Sequence, residues 1–127
     1  MIRVVLAGIL AVAIAATATA APRVYYRLPN GQAKVAPTRI GFSDLTLTRI
    51  RWDGWGGRRA TGTGRARMNT CVPSCAGGEI VRGTATLKVF RRQREGGRRF
   101  YGCMTGRVRA EGETARVMWP PGCRRGR

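Results

Sequence analysis

The 127-residue chain contains no histidine. That removes the commonest general base, the Ser-His-Asp and Cys-His nucleophile systems, and every metal site built on imidazole. Serine is almost as scarce: Ser43 and Ser74 are the two present, and neither stands in a G-x-S-x-G nucleophile elbow. Six carboxylates face 24 basic residues. Glu111 and Glu113 are close in sequence but flank a turn, whereas a glycosidase pair must face across a cleft. Asp44 and Asp53 sit at turns, where such side chains bond nearby backbone. The expectation is a non-enzymatic protein with no cofactor and no bound metal.

Long apolar runs are also missing, with one exception. Val4–Ala16 is thirteen uncharged apolar or small residues behind Met1-Ile2-Arg3, and Ala18-Thr19-Ala20 offers an A-x-A cleavage site. This is the layout of a secretory signal peptide, and the run falls short of the ~20 residues needed to span a bilayer. No cysteine lies near the cleavage site to carry a lipid anchor. Residues 1–20 are therefore expected to be removed, placing the mature protein outside the cell or in the cell envelope. The rest divides into an N-terminal arm (21–37), a β domain (38–123) and a basic tail (124–127).

Four cysteines are present: Cys71, Cys75, Cys103 and Cys123. Structural zinc sites open and close on closely spaced cysteine pairs; Cys71 and Cys75 meet that spacing, but Cys103 and Cys123 are twenty residues apart. A redox pair would more often be C-x-x-C at a helix start. In an exported chain four thiols read most simply as two disulfides, with three connectivities open to them. Cys71–Cys75 would clamp a tight loop around Pro73, and Cys103–Cys123 would tie a late strand to the C-terminal segment. Cross-pairing such as Cys71–Cys103 stays open at this level.

The remaining pattern is that of strands. Leu45 and Leu47 alternate with Thr46 and Thr48, then the phase slips near Arg49 so that Ile50 and Trp52 continue the apolar face, which predicts a bulge. Ala60–Met68 alternates small residues with Thr or Arg, and Thr84–Arg92 places Ala85, Leu87 and Val89 on one face. Glu95-Gly96-Gly97-Arg98 and Glu111-Gly112-Glu113 read as hairpin turns. Phe100–Ala110 places Phe100, Met104, Val108 and Ala110 in one phase, with Tyr101, Cys103 and Thr105 in the other. Ala115–Trp119 ends at Pro120-Pro121-Gly122. Val24-Tyr25-Tyr26 in the arm is a further candidate strand. The fold class expected is all-β, a small disulfide-stapled antiparallel sandwich or barrel. Trp52 belongs to its core; Trp55, in a glycine-rich turn, is expected to be exposed.

Charge is the most visible property, since 22 of the 24 cations are arginine and the chain carries a net +18. Such a field attracts anionic wall polymers, nucleic acid or anionic membrane surfaces. Candidate contacts are Arg58, Arg59, Arg65, Arg67 and the hairpin set Arg91, Arg92, Arg94, Arg98 and Arg99. A different reading is a protein-recognition module, an inhibitor or toxin-like factor, presenting the Cys71–Cys75 loop to an extracellular protein. Nothing in the sequence sets an oligomeric state.

Trp52-x-x-Trp55-Gly56-Gly57-x-x-Ala60-Thr61-Gly62-Thr63-Gly64, followed by Asn69-x-Cys71-x-Pro73-Ser74-Cys75-Ala76-x-Gly78, resembles small, uncharacterised secreted proteins of actinobacteria. Those carry a W-x-x-W-G…A-x-G-x-G segment and then N-x-C-x-P-x-C-A-x-G. The matching core covers about Leu45 to Gly78. The resemblance implies secretion and a small β domain and brings no established activity with it.

Overall fold

The computed structural model describes residues 12–16 and 23–123. The expected signal segment 1–20 lies outside the described residues apart from 12–16, which belong to no strand, and the tail 124–127 lies outside them. Eight strands follow in chain order: β1 (Val24–Arg27), β2 (Ala33–Lys34), β3 (Ile40–Gly41), β4 (Leu45–Asp53), β5 (Ala60–Asn69), β6 (Ile80–Glu95), β7 (Arg98–Ala110) and β8 (Glu113–Trp119). The described residues contain no helix long and apolar enough to cross a membrane.

All eight strands join one sheet in the order β2-β1-β7-β6-β5-β4-β3, with β8 also paired to β7. One edge of β7 serves two partners. Beside Arg99–Tyr101 runs β1, in parallel, and beside Met104–Ala110 runs β8, antiparallel. The sheet cannot be flat. β2 and β3 stand at opposite ends of the path, six inter-strand steps or roughly 29 Å apart at ~4.8 Å per step. Yet the chain passes from Lys34 to Ile40, which reaches at most about 22 Å fully extended. The sheet therefore curls into a half-barrel. The expected all-β class is what forms, on the barrel side of the sandwich-or-barrel expectation, as one curled sheet with one parallel pairing.

Local chemistry accounts for the elements. Gly96 and Gly97 both take positive φ (57° and 76°), as do Glu111 and Gly112 (46° and 83°), the geometry of two-residue turns whose twist matches the flanking strands. The bulge expected near Arg49 is present: Arg49 has φ 50° and the β4–β5 register shifts between Thr48 and Arg51. It keeps Leu47 and Ile50 both in the core although they are three residues apart.

The core fills the inside of the curl. Leu47, Ile50, Val81, Leu87, Val89, Met104 and Val108 pack there with Val24, Tyr26 and Ile40. β1, within the segment read as an arm, thus contributes directly to the core. Small residues on β5 make room for large ones opposite. Gly62 pairs with Trp52, and a Cβ on Gly62 would lie 2.8 Å from the Trp52 ring.

Two expectations need correction. Tyr101 joins the main core cluster with Met104, whereas Phe100, equally buried, does not. Phe100 is on the other face, against Tyr25 at 5.8 Å. The cause is an interruption of the β6–β7 ladder, where Arg91, at φ 60°, falls opposite Gly102 without pairing to it; the ladder resumes at Arg92–Tyr101 with the faces exchanged. Trp55 is the second. It is half-buried, packed edge-on against Trp52 (4.9 Å) and Tyr101 (5.0 Å), and its indole N–H donates to the Val24 carbonyl at 2.8 Å. Closing the curl requires a large side chain on this loop, and a glycine-rich neighbourhood does not reveal that.

The disulfides are Cys71–Cys75 and Cys103–Cys123. The second joins β7 to the segment beyond β8, with Cys103 fully buried. Gly62→Ala is expected to drive a methyl into the Trp52 ring and lower stability by about 1–3 kcal/mol, the usual cost of overpacking a core. Urea unfolding of the oxidised protein measures this, and an unchanged midpoint would refute the close packing.

Candidate polyanion interface

With the small and apolar residues of β5–β8 turned inward, period two sends the intervening residues outward. The register then decides which of them become neighbours. One row across the sheet reads Arg51–Thr63–Thr86–Arg107–Arg116. The adjacent row reads Thr48–Arg65–Thr84–Arg109–Thr114. On one side of these lies Asp53–Thr61–Lys88–Thr105–Met118, and on the other Thr46–Arg67–Arg82. Directly paired side chains stand ~4.5–5.5 Å apart at Cβ, and alternate positions along a strand are separated by about 6.6 Å.

This outer face therefore carries seven arginines and Lys88 against the single carboxylate of Asp53. Arg107 is directly opposite Arg116, and Arg67 opposite Arg82. Like charges placed so are unfavourable. None of these cations forms an ion pair with a described residue; the pair that is seen, Arg27–Glu95 at 3.2 Å, lies at the β6–β7 hairpin. On β6–β8 the long side chains enclose an open trough of about 750 Å³, lined by Lys88, Arg107, Arg109 and Arg116 with Thr84, Thr86 and Thr105.

The candidates named from sequence separate into three groups. Arg65 and Arg67 stand on this face, and Arg58 and Arg59 are exposed in the β4–β5 loop. The hairpin set is partly engaged in structure. Arg92 donates to the Gly56 carbonyl at 3.0 Å, and Arg98 lies over the rings of Tyr25 and Phe100 at 5.0 and 5.4 Å. Arg91 is exposed and has an intramolecular partner, Arg94 is exposed and Arg99 half-buried. Sequence reasoning missed Arg51, Arg82, Lys88, Arg107, Arg109 and Arg116. Their alternation with Val81, Val89, Val108, Ala110 and Val117 is a usable signal; the meeting of Arg67 with Arg82 is not, because it depends on register across the Thr70–Glu79 loop.

At the β4–β5 loop Trp52, Trp55 and Tyr101 pack on one another and bond to backbone. Trp52 donates to the Pro37 carbonyl at 2.8 Å, and the Tyr101 hydroxyl donates to Gly57 O (2.7 Å) while accepting from Gly56 N (2.8 Å). Burial raises the Tyr101 phenol above its ordinary pKa despite the Gly56 hydrogen bond and the Arg92 charge, and burial raises Tyr26 further. Both phenols stay neutral near pH 7 and offer no general base.

The Cys71–Cys75 loop is organised by Asn69. Its Oδ1 accepts from Cys71 N at 2.9 Å, and its Nδ2 donates to the Cys75 carbonyl at 2.8 Å. Gly78 lies close beneath, where a Cβ would come within 2.9 Å of the Ser74 carbonyl oxygen. The N…C…C…G spacing is thus one loop closed at both ends. Val72 projects from it, 70% exposed. Asp44 Oδ1 lies 3.6 Å from Cys75 Sγ, and Asp44, Cys71 and Cys75 cluster closely enough to hold a cation, but with both sulfurs joined the thiolates that would bind it are not there.

Two outcomes are expected. Asn69→Ala removes two partly exposed hydrogen bonds worth ~0.5–1.5 kcal/mol each; it should lower the melting temperature and speed proteolysis between Thr70 and Glu79, and an unaltered cleavage rate would show the loop is held otherwise. The folded chain keeps the Tyr26 and Tyr101 protons that the unfolded chain releases near pH 10. Stability should therefore be insensitive to these groups below about pH 10 and fall as pH rises beyond it. Urea titrations from pH 8 to 11.5 measure the slope, which Tyr26→Phe should reduce.

Compared with protein-family models, with curated proteins and with solved structures, the chain matches none.

Proposed function

We infer that this is an exported, non-enzymatic β domain, akin to the small secreted actinobacterial proteins it resembles, that associates with anionic polymers through its arginine-rich outer face. The observation that carries the reading is the unpaired juxtaposition of Arg107 with Arg116 and of Arg67 with Arg82. A face that places like charges side by side, with one carboxylate, Asp53, at its edge, loses stability in isolation and regains it when an anion intervenes. Two disulfides agree with an extracellular or envelope location, since such bonds persist where the medium is oxidising. The polymers that suit the charge are anionic wall polymer, nucleic acid or an anionic membrane surface.

A second reading rests on the Cys71–Cys75 loop. A disulfide and two Asn69 hydrogen bonds close it, it projects Val72, and compact disulfide scaffolds commonly present such loops to a protein partner. Salt-insensitive capture of one extracellular protein, lost on Val72→Asp, would favour it.

Replacing Arg107, Arg109 and Arg116 with Gln should weaken binding to polyanions and flatten its salt dependence. On duplex DNA the slope of log K against log salt should fall by about 0.9 for each phosphate that the variant no longer neutralises. Unchanged affinity and slope in the triple variant would remove the outer face from consideration.

A further inference from the structure

The trough on β6–β8 carries the polyanion reading to a ligand class, and the inference rests on that reading. We propose that it is a binding site for a flexible, base-free phosphodiester chain, held by arginine forks and threonine hydroxyls together.

Donors reach the trough from different directions, with Gly106, Val117 and Met118 completing its lining. Thr84, Thr86 and Lys88 come from β6, Arg107 and Arg109 from β7 between them, and Arg116 from β8. A planar carboxylate accepts best within its own plane, so it uses only part of this set. A tetrahedral phosphate accepts from an arginine fork on one side and a hydroxyl on another. Rows repeating at about 6.6 Å along the strands let successive phosphates of one chain meet Arg116–Arg107–Thr86 and then Arg109–Thr84. No Phe, Tyr or Trp lines the trough, so it lacks the stacking platform that single-stranded nucleic acid uses. The face is also the outer side of the curl, and a convex surface meets a rigid duplex or a flat bilayer over little area. A narrow chain with its charges in the backbone can lie in the trough.

The test measures binding of the oxidised protein to poly(glycerol phosphate), to polyglutamate of equal charge number and to duplex DNA, at physiological salt. Two further proteins, Arg107→Lys/Arg109→Lys/Arg116→Lys and Thr84→Val/Thr86→Val, are measured alongside. Lysine keeps every charge but loses the fork; valine keeps the β-branched shape but loses the hydroxyl. Wild type should prefer poly(glycerol phosphate), and the lysine variant should lose about tenfold in affinity for it, the scale of one charge-assisted hydrogen bond, with the salt slope retained. The valine variant should lose severalfold on the same polymer and nothing on polyglutamate. Equal binding of all three polymers, preference for DNA, or a lysine variant equal to wild type overturns the phosphodiester site while leaving electrostatic association standing. Binding of no polymer by the wild type overturns both.

Discussion

Five residues, Val35–Arg39, bridge the two ends of the sheet, and the rest of the architecture follows from how short that bridge is. A flat path from β2 to β3 is longer than the chain available, so the sheet curls over and its apolar side faces inward without a second layer. The seam is then held by side chains that span it. Trp55 reaches the Val24 carbonyl and Trp52 the Pro37 carbonyl, while along the β7 edge Tyr26 of β1 donates to the Trp119 carbonyl of β8 at 3.1 Å. Phe42 meets Trp119 edge-on at 6.1 Å. Each indole or phenol buries area and uses its polar atom, which is how large amphipathic rings serve at a closing edge.

Curling sets the division of labour between faces. The inner face must be small or apolar to fit a tight curl, and glycine at 62, 64 and 106 permits close approach there. Charge is thereby confined to the outer face and the loops. A chain with four times as many cations as carboxylates cannot neutralise that face internally, so the outer surface becomes a lattice of arginine and threonine. Its order comes from register, and its sign from composition.

Much of this was legible in the residues. Alternation around Leu47, Leu87 and Val108 gave the inner face, the phase slip at Arg49 marked the bulge, and the Gly96-Gly97 and Glu111-Gly112 pairs marked hairpins, because each depends on neighbours only a few positions away. Alternation alone misassigns Tyr101 and Phe100, because the left-handed Arg91 in the neighbouring strand interrupts the ladder opposite Gly102. Trp55 was expected in solvent because its partners, Val24 and Tyr101, lie 31 and 46 positions away. The hairpin arginines drew attention as a run in sequence, but Arg92 and Arg98 are occupied by Gly56 and by the Tyr25 and Phe100 rings.

The sequence by itself determined the class of fold, the absence of histidine chemistry and the sign and excess of charge, because these are set by composition and by period-two patterning. Tertiary structure alone decided that the sheet curls into a half-barrel, that Cys103 pairs with Cys123, and that Arg67 stands beside Arg82. These are matters of register and of a bridge too short for a flat sheet, and neither can be read from residues considered in order along the chain.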